Sequence, residues 1–99
     1  MSVIVTMKVA GDTAQFRQVM ETQADRVAGL ADRARTEGCI HHQFGVGAGF
    51  VVVMDEWETA EAFQAFISSP EVAAVMGEMA AQGEPEVTIA EAIDSPDRY

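Results

Sequence analysis

The chain has 99 residues, 48% of them apolar and 22% charged, and its formal net charge is −10. That length admits one domain, and the composition is that of an ordinary globular chain, short enough for oligomerisation to supplement its core. Of only six Lys and Arg, four (Arg17, Arg26, Arg33 and Arg35) fall in one segment that also holds acids, which argues against binding to nucleic acid or to an anionic membrane surface.

The first predicted element is a strand over Ser2 to Val9, β-branched and apolar. Gly11-Asp12 ends it, and Asp12 or Thr13 can cap a helix. Phe16, Val19, Met20, Val27, Leu30, Ala31 and Ala34 then recur mostly at intervals of three, four and seven, which predicts one buried helical stripe as far as Arg35. A single helix of about 22 residues would run roughly 33 Å. Glu37-Gly38 closes it, with Gly38 suited to a left-handed backbone.

Cys39 to Val46 predicts a second strand and Phe50 to Trp57 a third, joined by a turn at Gly47-Ala48-Gly49 into a hairpin. Phe50-Val51-Val52-Val53-Met54 shows no alternation, so both faces of the third strand should be buried. Thr59 caps a short helix over Ala60 to Ile67. Ser69 caps the next one, with Pro70 in its first turn. Val72, Val75, Met76, Met79 and Ala80 give that helix its buried stripe, and Gly83 and Pro85 end it. A fourth strand follows over Glu86 to Ile93.

The order strand, helix, strand, strand, helix, strand predicts a ferredoxin-like α+β fold with a four-stranded antiparallel sheet, one domain over residues 1–93 and a polar tail over 94–99. Both helices cover one sheet face. The other face needs a cover if the third strand is buried twice, and a second copy of the chain is the simplest one. A homodimer joined through the sheet face is therefore expected.

Three features carry a family resemblance: Gly38-Cys39 opening the second strand, the apolar third strand running into Glu56-Trp57-Glu58-Thr59, and the Ala62-Phe63 and Ser69-Pro70 that follow. Here the sequence resembles the antibiotic biosynthesis monooxygenases, small dimeric α+β barrel proteins. The resemblance is dense from Gly38 to Val75 and covers the rest in topology. It implies a pocket between the sheet and its helices, and a cofactor-independent monooxygenase acting on a flat phenol or quinol. Related members degrade haem with an axial histidine on the second helix. The matching position here is about Gly77, and the first strand offers Thr6, Met7 and Lys8 where those members have an asparagine, which argues against haem chemistry. Glu71 also stands where many quinol-type members place a histidine.

Strand parity separates His41 from His42, so the pair cannot chelate one ion. Ile40, His42 and Phe44 share one face. If that face meets the helices, His42 enters the pocket as a candidate general base near neutral pH, with Phe44 beside it. The alternative is a histidine hydrogen-bonded at the edge of the core. Trp57 can stack on a flat substrate, or it can pack on Phe63 of the next helix. Thr6, and also Gln43 or Thr88, are further polar candidates, and Phe63 and Met76 are expected along the apolar wall. Asp55, Glu56 and Glu58 read as a solvated strand end and helix start rather than a metal site. Cys39 reads as a small buried residue. Gly45, Gly47 and Gly49 precede a strand, so they make no phosphate loop.

No metal, flavin or nucleotide signature is present, and no cofactor is expected. The expected partners are a second copy of the chain and an apolar or aromatic small molecule. A non-catalytic binder of such a molecule is the alternative to an oxygenase. No apolar run approaches the roughly 20 residues of a membrane span, and the N-terminus lacks the pattern of a signal peptide. The lone Cys39 excludes an intrachain disulfide, which makes the cytoplasm the expected compartment.

Overall fold

A computed structural model of the chain describes residues 2–78 and 81–99. Eight elements follow in order: β1 (Val3–Gly11), α1 (Thr13–Thr22), α2 (Ala24–Thr36), β2 (Cys39–Val46), β3 (Phe50–Trp57), α3 (Ala60–Ile67), α4 (Pro70–Glu78) and β4 (Ala81–Glu91). The strands form one antiparallel sheet in the order β2-β3-β1-β4, the ferredoxin-like arrangement.

The helix starts follow the capping chemistry of the sequence. Asp12 Oδ1 accepts from the backbone N–H groups of Ala14 and Gln15 at 3.0 and 3.1 Å. Thr59 Oγ1 accepts from Ala62 N–H at 3.1 Å, so each side chain satisfies a donor that the first turn leaves open. Gly38 takes φ +118°, the left-handed turn that leads from α2 into β2.

Two expectations change. The first helix is two, because Gln23 leaves helical geometry at φ −121°, ψ 34°. Thr22 Oγ1 bonds back to the Gln18 carbonyl at 2.9 Å, a contact that bends helices. Backbone bonds still cross the bend from Gln23 to Val19 and from Val27 to Gln23, so α2 swings without separating from α1. At the other end of the chain, α4 closes by Glu78 and β4 begins at Ala81, with Gly83 and Pro85 inside the strand. Lys8 pairs with Glu86 and Ala10 with Gln82, so Gly83, Glu84 and Pro85 together face Val9. This bulge on an edge strand accommodates the φ of +84° at Gly83 and the absent N–H of Pro85. Met79 and Ala80, expected in the buried stripe of α4, lie outside the described residues. On β3, Val51, Val53 and Trp57 are buried, whereas Val52 is half-buried and Met54 is 61% exposed. Met54 therefore lies on the sheet face that no segment described in the single chain covers.

The core lies on the helix side of the sheet. Val5, Ala34, Cys39, Trp57 and Phe63 form its centre, with Val3, Ala62, Phe66 and Ile67 packed around it. Each large apolar side chain taken from water there contributes about 1.5–3 kcal/mol.

Candidate functional site

The third strand and its hairpin partner bring the site together. In β2, Cys39 faces Trp57, and the next pair is His41 with Glu56. Ile40 is therefore an extra residue at a bulge, exposed instead of sharing the face of His42 and Phe44. The bulge puts both Cys39 and His42 on the helix side. His42 then stands opposite Asp55, and Phe44 opposite Val53.

These strands, β1 and all four helices surround a partly open cavity of about 130 Å³. Its wall is apolar. Met7 and Val9 of β1, Phe16 of α1, Leu30 of α2, Phe44 and Val53 of the hairpin, Phe63 and Phe66 of α3, and Val75 and Met76 of α4 contribute. The polar side-chain groups on it come from His42 and Asp55, with the Trp57 indole N–H and the Cys39 thiol.

Three of those four groups are joined through Asp55, and the Cys39 thiol bonds separately to the backbone. The His42 Nδ1 lies 2.7 Å from Asp55 Oδ1. The Trp57 indole N–H donates to Asp55 Oδ2 at 3.0 Å. The Cys39 thiol donates to the His41 carbonyl at 3.2 Å. Asp55 is well covered, with 8% of its side chain exposed, while the His42 side chain keeps 37%. The His42 ring meets Phe44 edge to face at 4.7 Å, and Phe44 meets Phe16 the same way at 5.2 Å. Burial, helped by the Asp55 charge, pushes the Cys39 thiol up to about 11. It stays a thiol at neutral pH and is no nucleophile there.

The residues singled out in the sequence divide into two groups. His42, Phe44, Trp57, Phe63 and Met76 all line the cavity. Trp57 is only 1% exposed, with the Phe63 ring at 5.8 Å and the Phe66 ring at 5.3 Å, so the packing alternative describes most of its surface. Thr6 is corrected. It lies on the open side of the sheet, paired with Met54 and Thr88, because the helix side of β1 takes Val5 and Met7. Gln43, opposite Met54, and Thr88 share that open side. His41 points there too, opposite Glu56.

Asp55 is the site residue that the sequence reading missed, having been placed among solvated carboxylates. Its parity with Trp57 was legible, but its pairing with His42 depends on the hairpin register. Glu56, by contrast, accepts from the Ser2 hydroxyl at 2.6 Å. Among the described residues no group of three or more His, Cys, Asp or Glu is arranged to hold a metal ion. Among them too, no helix is long and apolar enough to cross a membrane.

Residues 1–78 match the family model of the antibiotic biosynthesis monooxygenases. Solved structures agree on the fold at low identity. SnoaB, a cofactor-independent oxygenase from Streptomyces nogalater, is 16% identical over 98% of both chains, with a TM-score of 0.68. A proposed antibiotic biosynthesis monooxygenase from Caulobacter crescentus is 17% identical over 94% of this chain and 91% of its own, with a TM-score of 0.72. A protein of Mycobacterium tuberculosis is 15% identical over 98% of this chain and all of its own, at 0.64. No curated protein matches the chain by sequence.

Proposed function

Because the chain belongs to the antibiotic biosynthesis monooxygenase family, we propose that it is a cofactor-independent monooxygenase oxidising a flat phenol- or quinol-type molecule. The observation that carries this reading is an apolar cavity whose one imidazole, His42, is held against a carboxylate at the wall. Such chemistry needs a base, an oriented flat substrate and a dry surrounding. His42 takes a proton from the substrate. The resulting carbanion is electron-rich enough to reduce dioxygen, and a carbon–oxygen bond forms to give a hydroperoxide once a proton returns. The oxygen–oxygen bond then breaks, water leaves with the remaining hydrogen of that carbon, and a carbonyl stays behind. One dioxygen thus yields one quinone-type carbonyl and one water. Phe44, Phe63 and Met76 form the wall against a flat ring, and Trp57 holds that wall from behind.

Oxygen uptake measured with a panel of anthrones and hydroquinones tests the proposal. Uptake should match carbonyl formation one to one, and His42→Ala should lower turnover about 10²–10⁴-fold, the usual contribution of a general base. The sparse polar lining also supports a second reading, a non-catalytic binder of an apolar small molecule. No uptake with any substrate, together with saturable quenching of Trp57 fluorescence, would favour the binder. We further propose a homodimer through the open sheet face, where Ile4 and Met54 are exposed, and a reducing compartment such as the cytoplasm for its free Cys39.

A further inference from the structure

Each side-chain donor on the cavity wall is already used. The Trp57 N–H is bonded to Asp55 and the Cys39 thiol to the His41 carbonyl. The third donor belongs to His42, and its position follows from its partner. A carboxylate offers only lone pairs, so the nitrogen 2.7 Å from Asp55 Oδ1 must carry the hydrogen. Nδ1 therefore carries a hydrogen, and in the neutral imidazole Nε2 is left as an acceptor with no protein partner among the described residues. The hydrogen bond at one imidazole nitrogen decides the state of the other.

We infer that Asp55 is a positioning residue which fixes His42 as an acceptor, so that the cavity selects ligands carrying a hydroxyl donor and disfavours those that offer only a carbonyl or ether oxygen. The inference rests on the proposed use of this cavity, not on any turnover. In that reaction the substrate is a hydroxyl donor and the product gains a carbonyl. A site lacking a free donor binds the first better than the second, so the same contact that recognises substrate lets product go. The His42 side chain is 37% exposed, so a ligand that covers Nε2 without donating to it strips that nitrogen of solvent, and a hydrogen bond left unmade costs more than a made one contributes.

Trp57 makes the role of Asp55 testable. In Asp55→Asn the indole N–H still needs an acceptor, which assigns the amide oxygen to Trp57. The amide NH₂ then faces Nδ1 of His42 as a donor. Nδ1 must accept it, and the ring hydrogen moves to Nε2. The cavity changes from acceptor to donor without losing volume.

Calorimetric titration with α-naphthol, α-methoxynaphthalene and α-tetralone reads the selection directly, without any reaction. Burial of the extra methyl alone would favour the ether by about fourfold. The wild type should nevertheless bind α-naphthol at least about threefold more tightly than either other probe. Asp55→Asn should reverse that order, and His42→Leu should leave the ether ahead. Nitrogen NMR of His42 in the wild-type protein should show a protonated Nδ1 and a bare Nε2, a readout that requires no variant to fold. A protonated Nε2 in the wild type, equal binding of the naphthol and its ether, or a preference unchanged in Asp55→Asn would each overturn the inference. Absent oxygen uptake with this selection intact would count against the proposed oxygenation alone.

Discussion

On the helix side of the β2–β3 hairpin, Val53 and Trp57 are buried, and His42 meets Asp55 beside the ring of Phe44. On the open side of the same strands, His41 stands opposite Glu56 and Gln43 opposite Met54, which is largely in solvent. Adjacent residues of one strand thus have different fates. His41 and His42 have the same chemistry, and only the second stands beside a buried, fixed carboxylate. The two imidazoles differ in which face supplies a fixed partner, and not in residue type.

Substitutions on the two faces should separate them, and Trp57→Ala should have the largest effect. Removing a ring this well packed costs about 3–5 kcal/mol, and it also strips Asp55 of one of its two partners. Urea unfolding of the variant measures that loss. Next come two positions one residue apart. Val53→Ala should cost about 2–3 kcal/mol, because its site is enclosed. Met54→Glu should change the stability of the isolated chain by no more than about 0.5 kcal/mol, as at other surface positions. Met54→Glu should act instead on association. Sedimentation should show a dimer for the wild type at micromolar concentration and a monomer for the variant. A wild type that sediments only as monomer would leave the open face with no partner copy.

The smallest effect concerns Cys39. The folded chain holds its thiol proton up to about 11, and the unfolded chain releases it near the ordinary thiol value. In that window the native state binds more protons than the unfolded one, so stability falls as pH rises from the ordinary thiol range toward 11. Cys39→Ser should flatten this slope in denaturation curves taken across that range. Alkylation of native Cys39 by iodoacetamide should be slow at neutral pH.

Much of the fold was legible because short-range chemistry dictates it. Cys39–Val46 and Phe50–Trp57 are bounded by Gly38, the Gly47–Gly49 turn and Glu58, and the third helix begins at its Thr59 cap. Strand parity also placed His41 and His42 on opposite faces. What remained hidden depends on long-range pairing. Gly83 and Pro85 read as a stop, yet the sheet tolerates both in a bulge opposite Val9. Thr6 looked like a pocket residue until its pairing with Met54 assigned it to the open side. The hairpin is the most telling case. A three-residue turn at Gly47–Gly49 would set Val46 opposite Phe50. Val46 instead pairs with Val51, and that shift of one residue brings Asp55 opposite His42. One register step separates a hydrogen-bonded site from a carboxylate facing nothing.

We propose that ligand chemistry occurs at His42 on the helix side and nowhere near His41. Nitrogen NMR of both imidazoles during an anaerobic titration with α-naphthol tests it most directly. The His42 signals should move saturably, with the same midpoint as Trp57 fluorescence quenching, while those of His41 stay still. Movement of His41 alone, or binding of α-naphthol that leaves His42 unmoved, would contradict it.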